Sequence, residues 1–276
     1  MKRVILRFER LSRVLWRSLK DSRGPRGKWA MCCCIIGGLC SRLGWPPNSR
    51  EVTLRVGDLR MIVDISRSEI IPYWEIWYDG AYVSVPRFQR HEGGCVVDVG
   101  GNVGFYAIHQ APASGTGQVV VFEPSPTAFS RLSRNIEINR ITNAKLMNMA
   151  VGSYCGTAQF TEAQQSINCH IANEERDETF EVPCTTLDAA LKHFEVDRVD
   201  VLKIDTEGYE RAVLAGAKDT LPRVDRIVLE LHGRVDEEER SIDAILRPVG
   251  FQIVGRYKSL VYYERIWEAW DCNFPN

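Results

Sequence analysis

Three acidic strand ends and one glycine-rich turn hold the residues of this 276-residue chain that could do chemistry. The turn lies in VVDVGGNVGFYAIH, Val96 to His109: an apolar run, a carboxylate at Asp98, glycines at 100, 101 and 104, then a helix-like apolar pattern. Glycines after a strand let the backbone approach a ligand without a Cβ clash, and a helix start directs free N–H groups at negative charge. Glu123 closes the next apolar run, QVVVFE, and is followed by Pro124. A carboxylate at that place can accept both hydrogen bonds of a ribose diol. LKIDTEGYE, residues 202–210, puts Asp205 and Glu207 at a further strand end. LELHG, residues 229–233, sets Glu230 and His232 two positions apart, on one face of an extended chain. Carboxylates and a histidine converging on one pocket are candidate proton acceptors.

These pieces fit an adenosine-containing cofactor, and their spacing narrows the choice. A nicotinamide or flavin fingerprint is GxGxxG directly after the strand. Here the glycines fall at 100, 101 and 104 with Asp98 ahead of them, and no GK[ST] follows as a phosphate loop requires. A buried acid repels a pyrophosphate and favours a cation. The acid-then-glycine order therefore suits S-adenosylmethionine, which offers an ammonium, a sulfonium, a carboxylate for the helix end and a ribose for Glu123. Plainer readings stand beside these: a glycine corner that only turns the chain, Asp205 capping a helix near Gly208, a solvated Glu207, a structural His232.

Positioning those side chains takes a strand before each of them and a helix between strands. Apolar runs predict strands at 96–99, 118–123, 144–149, 200–205 and 226–231, and amphipathic intervals predict helices at 103–111, 126–140, 187–193, 208–216 and 236–247. That alternation implies a parallel sheet covered on both faces. GTAQF and FEVPCTT, within residues 150–186, read as extra strands inserted before the fourth core strand. FQIVGRYKSLVYYE reads as two strands about a short turn, so the last strand runs antiparallel. Ahead of the sheet, VTLRVGDLRMIVDI alternates about Gly57-Asp58, a hairpin signal. The aromatic stretch IIPYWEIWYDGAYVSV is read as an irregular lid or entry wall.

VVDVGGNVGFYAI, VFEPSP, LSRNIEIN, AVGSYCG, TTLD, LKIDTEGYE and LELHG follow one another in the order seen in FkbM-type S-adenosylmethionine-dependent methyltransferases, and over residues 69–256 the chain resembles that family. The resemblance implies an α/β fold of the class I methyltransferase (Rossmann-like) kind: a mostly parallel seven-stranded sheet, antiparallel last strand, helices on both faces. It implies that Asp98, Gly100, Asn102, Gly104, Glu123 and Pro124 hold the cofactor, with Gly101, Phe105 and Ala150 beside them. Asp205, Glu207 and Gly208 match the family's Asp-x-Glu-Gly element, so catalysis is expected of Asp205 or Glu207, with His232 as the alternate. The implied activity is O-methylation of a sugar, glycan or polyketide-like hydroxyl. The alternatives are a non-catalytic cofactor-binding module and an NAD-type oxidoreductase. No metal site is assigned. Gly101 stands where relatives commonly carry alanine, a mild change. Val83 stands where an acid often follows the tyrosine of Gly-x-Tyr, which leaves that segment without an assigned pocket role.

An apolar fraction of 45% with 26% charged residues suits a globular chain with a sizeable core. The net charge of -1 hides an asymmetry: residues 1–50 hold twelve Lys/Arg against two acids, +10, leaving -11 for the rest. Three parts are expected: a basic extension over 1–50, a hairpin and lid-like segment over 51–92, and the cofactor-binding domain over 93–276. Residues 2–20 predict an amphipathic helix. KWAMCCCIIGGLC, 28–40, is too short to span a bilayer, which needs about 20 apolar residues. It reads first as a buried or docking helix. The alternatives are a membrane-surface segment over residues 1–43, resting on anionic lipid through the arginines before it, and a cleaved signal. Scattered aromatics in the extension offer no stacking platform, so no nucleic-acid partner is expected. An amine- or base-methylating [DNS]-P-P-[YFW] element is missing from the sequence. Nine cysteines without a CxxC pair point to free thiols and a cytoplasmic setting.

Overall fold

Alternation of side chains along each run sorts the core into two faces, and the strand order then follows from which runs are apolar on both. The computed structural model describes residues 51–64, 67, 69–89, 93–111, 117–161, 170–171 and 179–266. The expected helix over 2–20, the apolar segment 28–40 and the rest of the basic extension lie outside the described residues.

From the amino side, β1 (Glu51–Val56) and β2 (Leu59–Asp64) form the expected hairpin, and α1 (Ile70–Trp77) follows. The core then runs β3 (Cys95–Val99), α2 (Phe105–Gln110), β4 (Gln118–Phe122), α3 (Pro126–Ile138) and β5 (Ala144–Met147). An insertion supplies β6 (Ala150–Val151), β7 (Gly156–Thr161), β8 (His170–Ile171) and β9 (Thr179–Thr185). The core resumes with α4 (Leu187–His193), β10 (Val199–Ile204), α5 (Glu210–Ala215), β11 (Val224–Glu230), α6 (Val235–Leu246), β12 (Phe251–Tyr257) and β13 (Leu260–Arg265).

Seven strands form the central sheet in the order β12-β13-β11-β10-β3-β4-β5. Pairing is parallel from β11 through β5, and β13 alone lies antiparallel to both its neighbours. This is the sheet that the resemblance implies. Chain order reverses between β3 and β10, and ligands of such sheets bind at that switch point, beyond the strand ends. The inserted strands pair as a second, four-stranded sheet, β6-β9-β7-β8, rather than joining the first.

Period-two burial divides the core as the runs demand. Val97, Val99, Val120, Phe122, Leu202 and Ile204 face α4, α5 and α6, meeting Leu187, Val213 and Leu246. Val96, Val119, Val121 and Val201 face the other way, against Phe105, Ile108, Leu132 and the hairpin's Leu54, Met61 and Val63. Helix starts are set by side chains: Ser125 Oγ accepts from Ala128 N at the head of α3, with Pro126 at its first position, and Thr186 Oγ1 accepts from Ala189 N at the head of α4.

The aromatic stretch ahead of the sheet is not irregular throughout, since Ile70–Trp77 is helical. Pro72 sits in the first turn, where its missing N–H leaves no intrahelical bond unmade. Two asparagines of α3 fasten the hairpin. Asn135 Oδ1 accepts from Ile62 N at 2.6 Å, while its Nδ2 donates to Ile62 O at 3.0 Å and to Val103 O at 2.9 Å. Asn139 Oδ1 accepts from Arg60 N at 2.7 Å. Among the described residues no helix is long and apolar enough to cross a membrane.

Candidate active site

The glycine turn joins β3 to α2 and is defined by what it touches. Gly100 has φ +83°, and a Cβ there would lie 1.8 Å from the Asp205 carbonyl oxygen, so the turn abuts the end of β10. A Cβ at Gly101 would meet Val121 Cγ1 at 2.3 Å. Alanine at position 101 is therefore not a mild change in this chain. Gly104, at φ +92°, caps α2 in the left-handed region. Gly100 N and Gly101 N both donate to Phe122 O, which ties the turn to the end of β4.

Beside this turn opens a cleft of about 390 Å³. Of the expected cofactor residues, Gly100, Gly101, Asn102, Phe105, Glu123, Pro124 and Ala150 line it. Glu123 is 6% exposed, and its carboxylate accepts from Asn102 N at 2.7 Å and Ser125 N at 2.8 Å. Burial pushes its pKa up to about 7 against the pull of those two N–H groups. Asn102 Oδ1 is buried and lacks a hydrogen-bond partner among the described residues. A cofactor bearing N–H or O–H donors fits that orphaned acceptor, the ribose diol fits Glu123, and the apolar wall of Phe122, Met149 and Val151 fits an adenine ring.

Asp98 and Gly104 do not line the cleft. Asp98 is fully buried beneath the turn, and its Oδ1 lies 3.0 Å from Lys203 Nζ, its neighbour in register on β10. The cation that its position calls for is this lysine rather than a ligand. Lys203 itself is buried, donates to Gly100 O at 2.7 Å and reaches Asp205 Oδ2 at 3.4 Å. Burial works against its charge, but Asp98 and Asp205 together push its pKa above the usual lysine range.

Asp205, Glu207 and His232 come together in the lining of the same cleft, next to the turn. His232 Nε2 stands 3.2 Å from Glu207 Oε2 and 3.9 Å from Asp205 Oδ1. Its Nδ1 is 2.9 Å from Oε1 of Glu210, a fully buried carboxylate that also accepts from Gly208 N at 3.0 Å. Glu210, not Asp205, thus satisfies the loop before α5. Burial lowers the His232 pKa, but the Glu210 hydrogen bond and the charges of Glu207 and Asp205 raise it to about 9. Glu207 is raised to about 7 by burial, with His232 opposing and Asp205 and Glu230 adding.

Tyr82, from the segment ahead of the sheet, reaches into this cluster: its hydroxyl is 2.8 Å from Asp205 Oδ2 and 2.8 Å from Glu230 Oε2. Glu230 Oε1 accepts from Ser259 Oγ at 2.7 Å. The segment thus walls the cleft, with Ile71, Pro72, Glu75 and Ile76 beside Tyr82. Three non-glycine residues of the wall, Tyr82, Asn102 and Glu207, hold φ at +68°, +48° and +52°. Such backbone costs about 1–3 kcal/mol each and persists where its surroundings over-determine it, as at functional sites.

Residue-level reading of the chain missed Tyr82, Lys203 and Glu210. A lysine inside the apolar run VDVLKID was the available signal, since lysine is rarely buried unpaired. Glu210 gave none, being one more acid at a helix start.

A family model described as the methyltransferase FkbM domain matches residues 98–253. The chain is 29% identical over 201 residues to hexuronic acid methyltransferase AglP of Haloferax volcanii, covering 68% of this chain and 82% of that protein. It is 25% identical over 241 residues to 31-O-demethyl-FK506 methyltransferase FkbM of Streptomyces tacrolimicus, covering 75% of this chain and 92% of that one. Among solved structures, the fibrillarin pre-rRNA processing protein of Methanococcus jannaschii aligns with a TM-score of 0.45 at 15% identity, over 79% of this chain and 83% of that chain.

Proposed function

The chain belongs to the FkbM methyltransferase family, and from that premise we propose that it moves a methyl group from S-adenosylmethionine to a hydroxyl of a sugar, glycan or polyketide-like small molecule. One observation carries the reading: Asp205, Glu207 and His232 share a cleft with Glu123 and the glycine turn, so a proton acceptor and a cofactor seat face one space. The AglP and FkbM relatives, named for a hexuronic acid and for 31-O-demethyl-FK506, support an oxygen-bearing small acceptor.

The cofactor, when bound, supplies an activated methyl group for in-line displacement. Glu123 and Asn102 hold its polar groups, and Phe105, Pro124 and Ala150 complete the seat. An aliphatic hydroxyl is a poor nucleophile, and a positioned base speeds its attack by about 10²–10⁴-fold. Glu207 is that base: its carboxyl is poised at about 7, near the working pH. His232, raised to about 9, keeps its proton at neutral pH and fixes Glu207 through their 3.2 Å contact. Asp205, 3.4 Å from Lys203 Nζ, orients the acceptor hydroxyl.

Glu207→Gln and Asp205→Asn should each cut turnover by at least about 100-fold while S-adenosylmethionine still binds by calorimetry. Labelled methyl groups traced from the cofactor into cell-extract glycans and small molecules give the turnover. Near-normal transfer by both variants would overturn the assignment of the base.

A further inference from the structure

One hydroxyl between two carboxylates sets a proton count. Tyr82 Oη lies 2.8 Å from Asp205 Oδ2 and 2.8 Å from Glu230 Oε2, both hydrogen-bond distances. A phenol has a single proton to donate. If both acids were ionised, one of these contacts would set a lone pair against a carboxylate oxygen at hydrogen-bond distance, part-buried in the cleft wall. A second proton removes the conflict: one acid is neutral and donates to the phenol oxygen, and the phenol donates to the other.

We propose that Glu230 is the neutral acid, held so by Tyr82, and that this arrangement keeps Asp205 ionised and aimed at the acceptor. The inference rests on the methyltransferase reading above and adds two positioning residues to it. The neighbours decide which acid carries the proton. Asp205 has the cations: Lys203 Nζ at 3.4 Å from Oδ2 and His232 Nε2 at 3.9 Å from Oδ1. Glu230 is in contact with Ser259 Oγ and Tyr82 Oη, two neutral groups. Asp205 and Glu207 face Glu230 as like charges, with His232 the opposing one. Burial, then Asp205, raises the Glu230 pKa in agreement with that geometry.

Tyr82 is suited to the task by its own constraints. Its ring is 6% exposed and lies 5.3 Å from Lys203 Nζ, and its backbone holds φ +68°, so the hydroxyl has a fixed place between the strand ends. Two protons on three oxygens also leave Asp205 Oδ1 free of the phenol, on the side where His232 stands.

The test is an asymmetry between two isosteric changes in the full chain. Glu230→Gln keeps a donor toward Tyr82 and should lose far less turnover than Asp205→Asn. Asp205→Asn should lose at least about 100-fold. Infrared difference spectra of the protein without acceptor give a readout apart from activity. At pH 7 Glu123 and Glu207 are also partly protonated, so the carbonyl absorption of neutral carboxylic acids should lose one component in Glu230→Gln and keep that component in Asp205→Asn. Tyr82→Phe removes the bridge between the two acids, so kcat should fall with KM for S-adenosylmethionine unchanged. A loss of turnover in folded, cofactor-binding Glu230→Gln as large as that in Asp205→Asn, or an unaltered neutral-acid absorption in that variant, overturns the proposal. A wild-type chain that transfers no methyl group counts against the function instead, and the infrared comparison still decides the proton's location.

Discussion

At the scale of single residues the site is a set of groups moved toward protonation. His232 rises from 6.5 to about 9, and Glu207 and Glu123 rise from 4.5 to about 7. A group whose pKa is raised by folding stabilises the fold fully below its unfolded value and loses that contribution as pH climbs through the folded one. All three therefore act in the same direction. The cofactor-free protein should lose thermal stability in two stages, through about pH 7 for the carboxyls and through about pH 9 for the imidazole. Thermal unfolding followed by circular dichroism across that span measures it. In His232→Gln the upper stage should flatten, and in Glu207→Gln the lower one should shrink. An unfolding temperature that rises with pH over this range would contradict the assignment.

At the scale of elements, the glycine turn is shaped by packing as much as by ligand. Because Val121 Cγ1 occupies the space a Cβ at 101 would take, Gly101→Ala should destabilise the fold by about 1–3 kcal/mol through overpacking. Val121→Ala opens room for it, so the pair should cost less than the sum of the single changes, by at least about 0.5 kcal/mol in urea unfolding. Additive costs would mean that the turn yields elsewhere. The core strands were legible because their apolar runs end in turn residues and alternate faces; VVDV at 96–99 became Cys95–Val99 and DVLKID at 200–205 became Val199–Ile204. What stayed hidden was pairing across long sequence distance. Asp98 reads as an acid awaiting a ligand until Lys203 is placed beside it in register. The inserted strands are visible as strands, but their separate sheet depends on contacts no local pattern encodes. The aromatic stretch read as irregular contains the helix Ile70–Trp77, with Pro72 in the first turn, where a helix tolerates it. Asp205, Glu207 and His232 were found together because acids and a histidine at strand ends on either side of one sheet position have few other places to go.

At the scale of the molecule, residues ahead of the sheet belong to its core. Tyr73 and Phe88 pack in the same cluster as Val96 and Val119, and Asn135 spends its amide on Ile62 and Val103 together. Asn135→Ala should cost at least about 2 kcal/mol, since it leaves buried backbone groups of the hairpin and of the turn unpaired. A chain that begins at residue 93 should lack a cooperative thermal transition. Cooperative melting of that shortened chain would make 93–276 an autonomous unit. The two holders of Glu230 have one more consequence. Tyr82 precedes the first core strand and Ser259 lies in the turn between β12 and β13, so this acid is clasped by segments far apart in the sequence. A nascent chain that has not yet delivered the β12–β13 hairpin can form most of its sheet but lacks one of the two clasps.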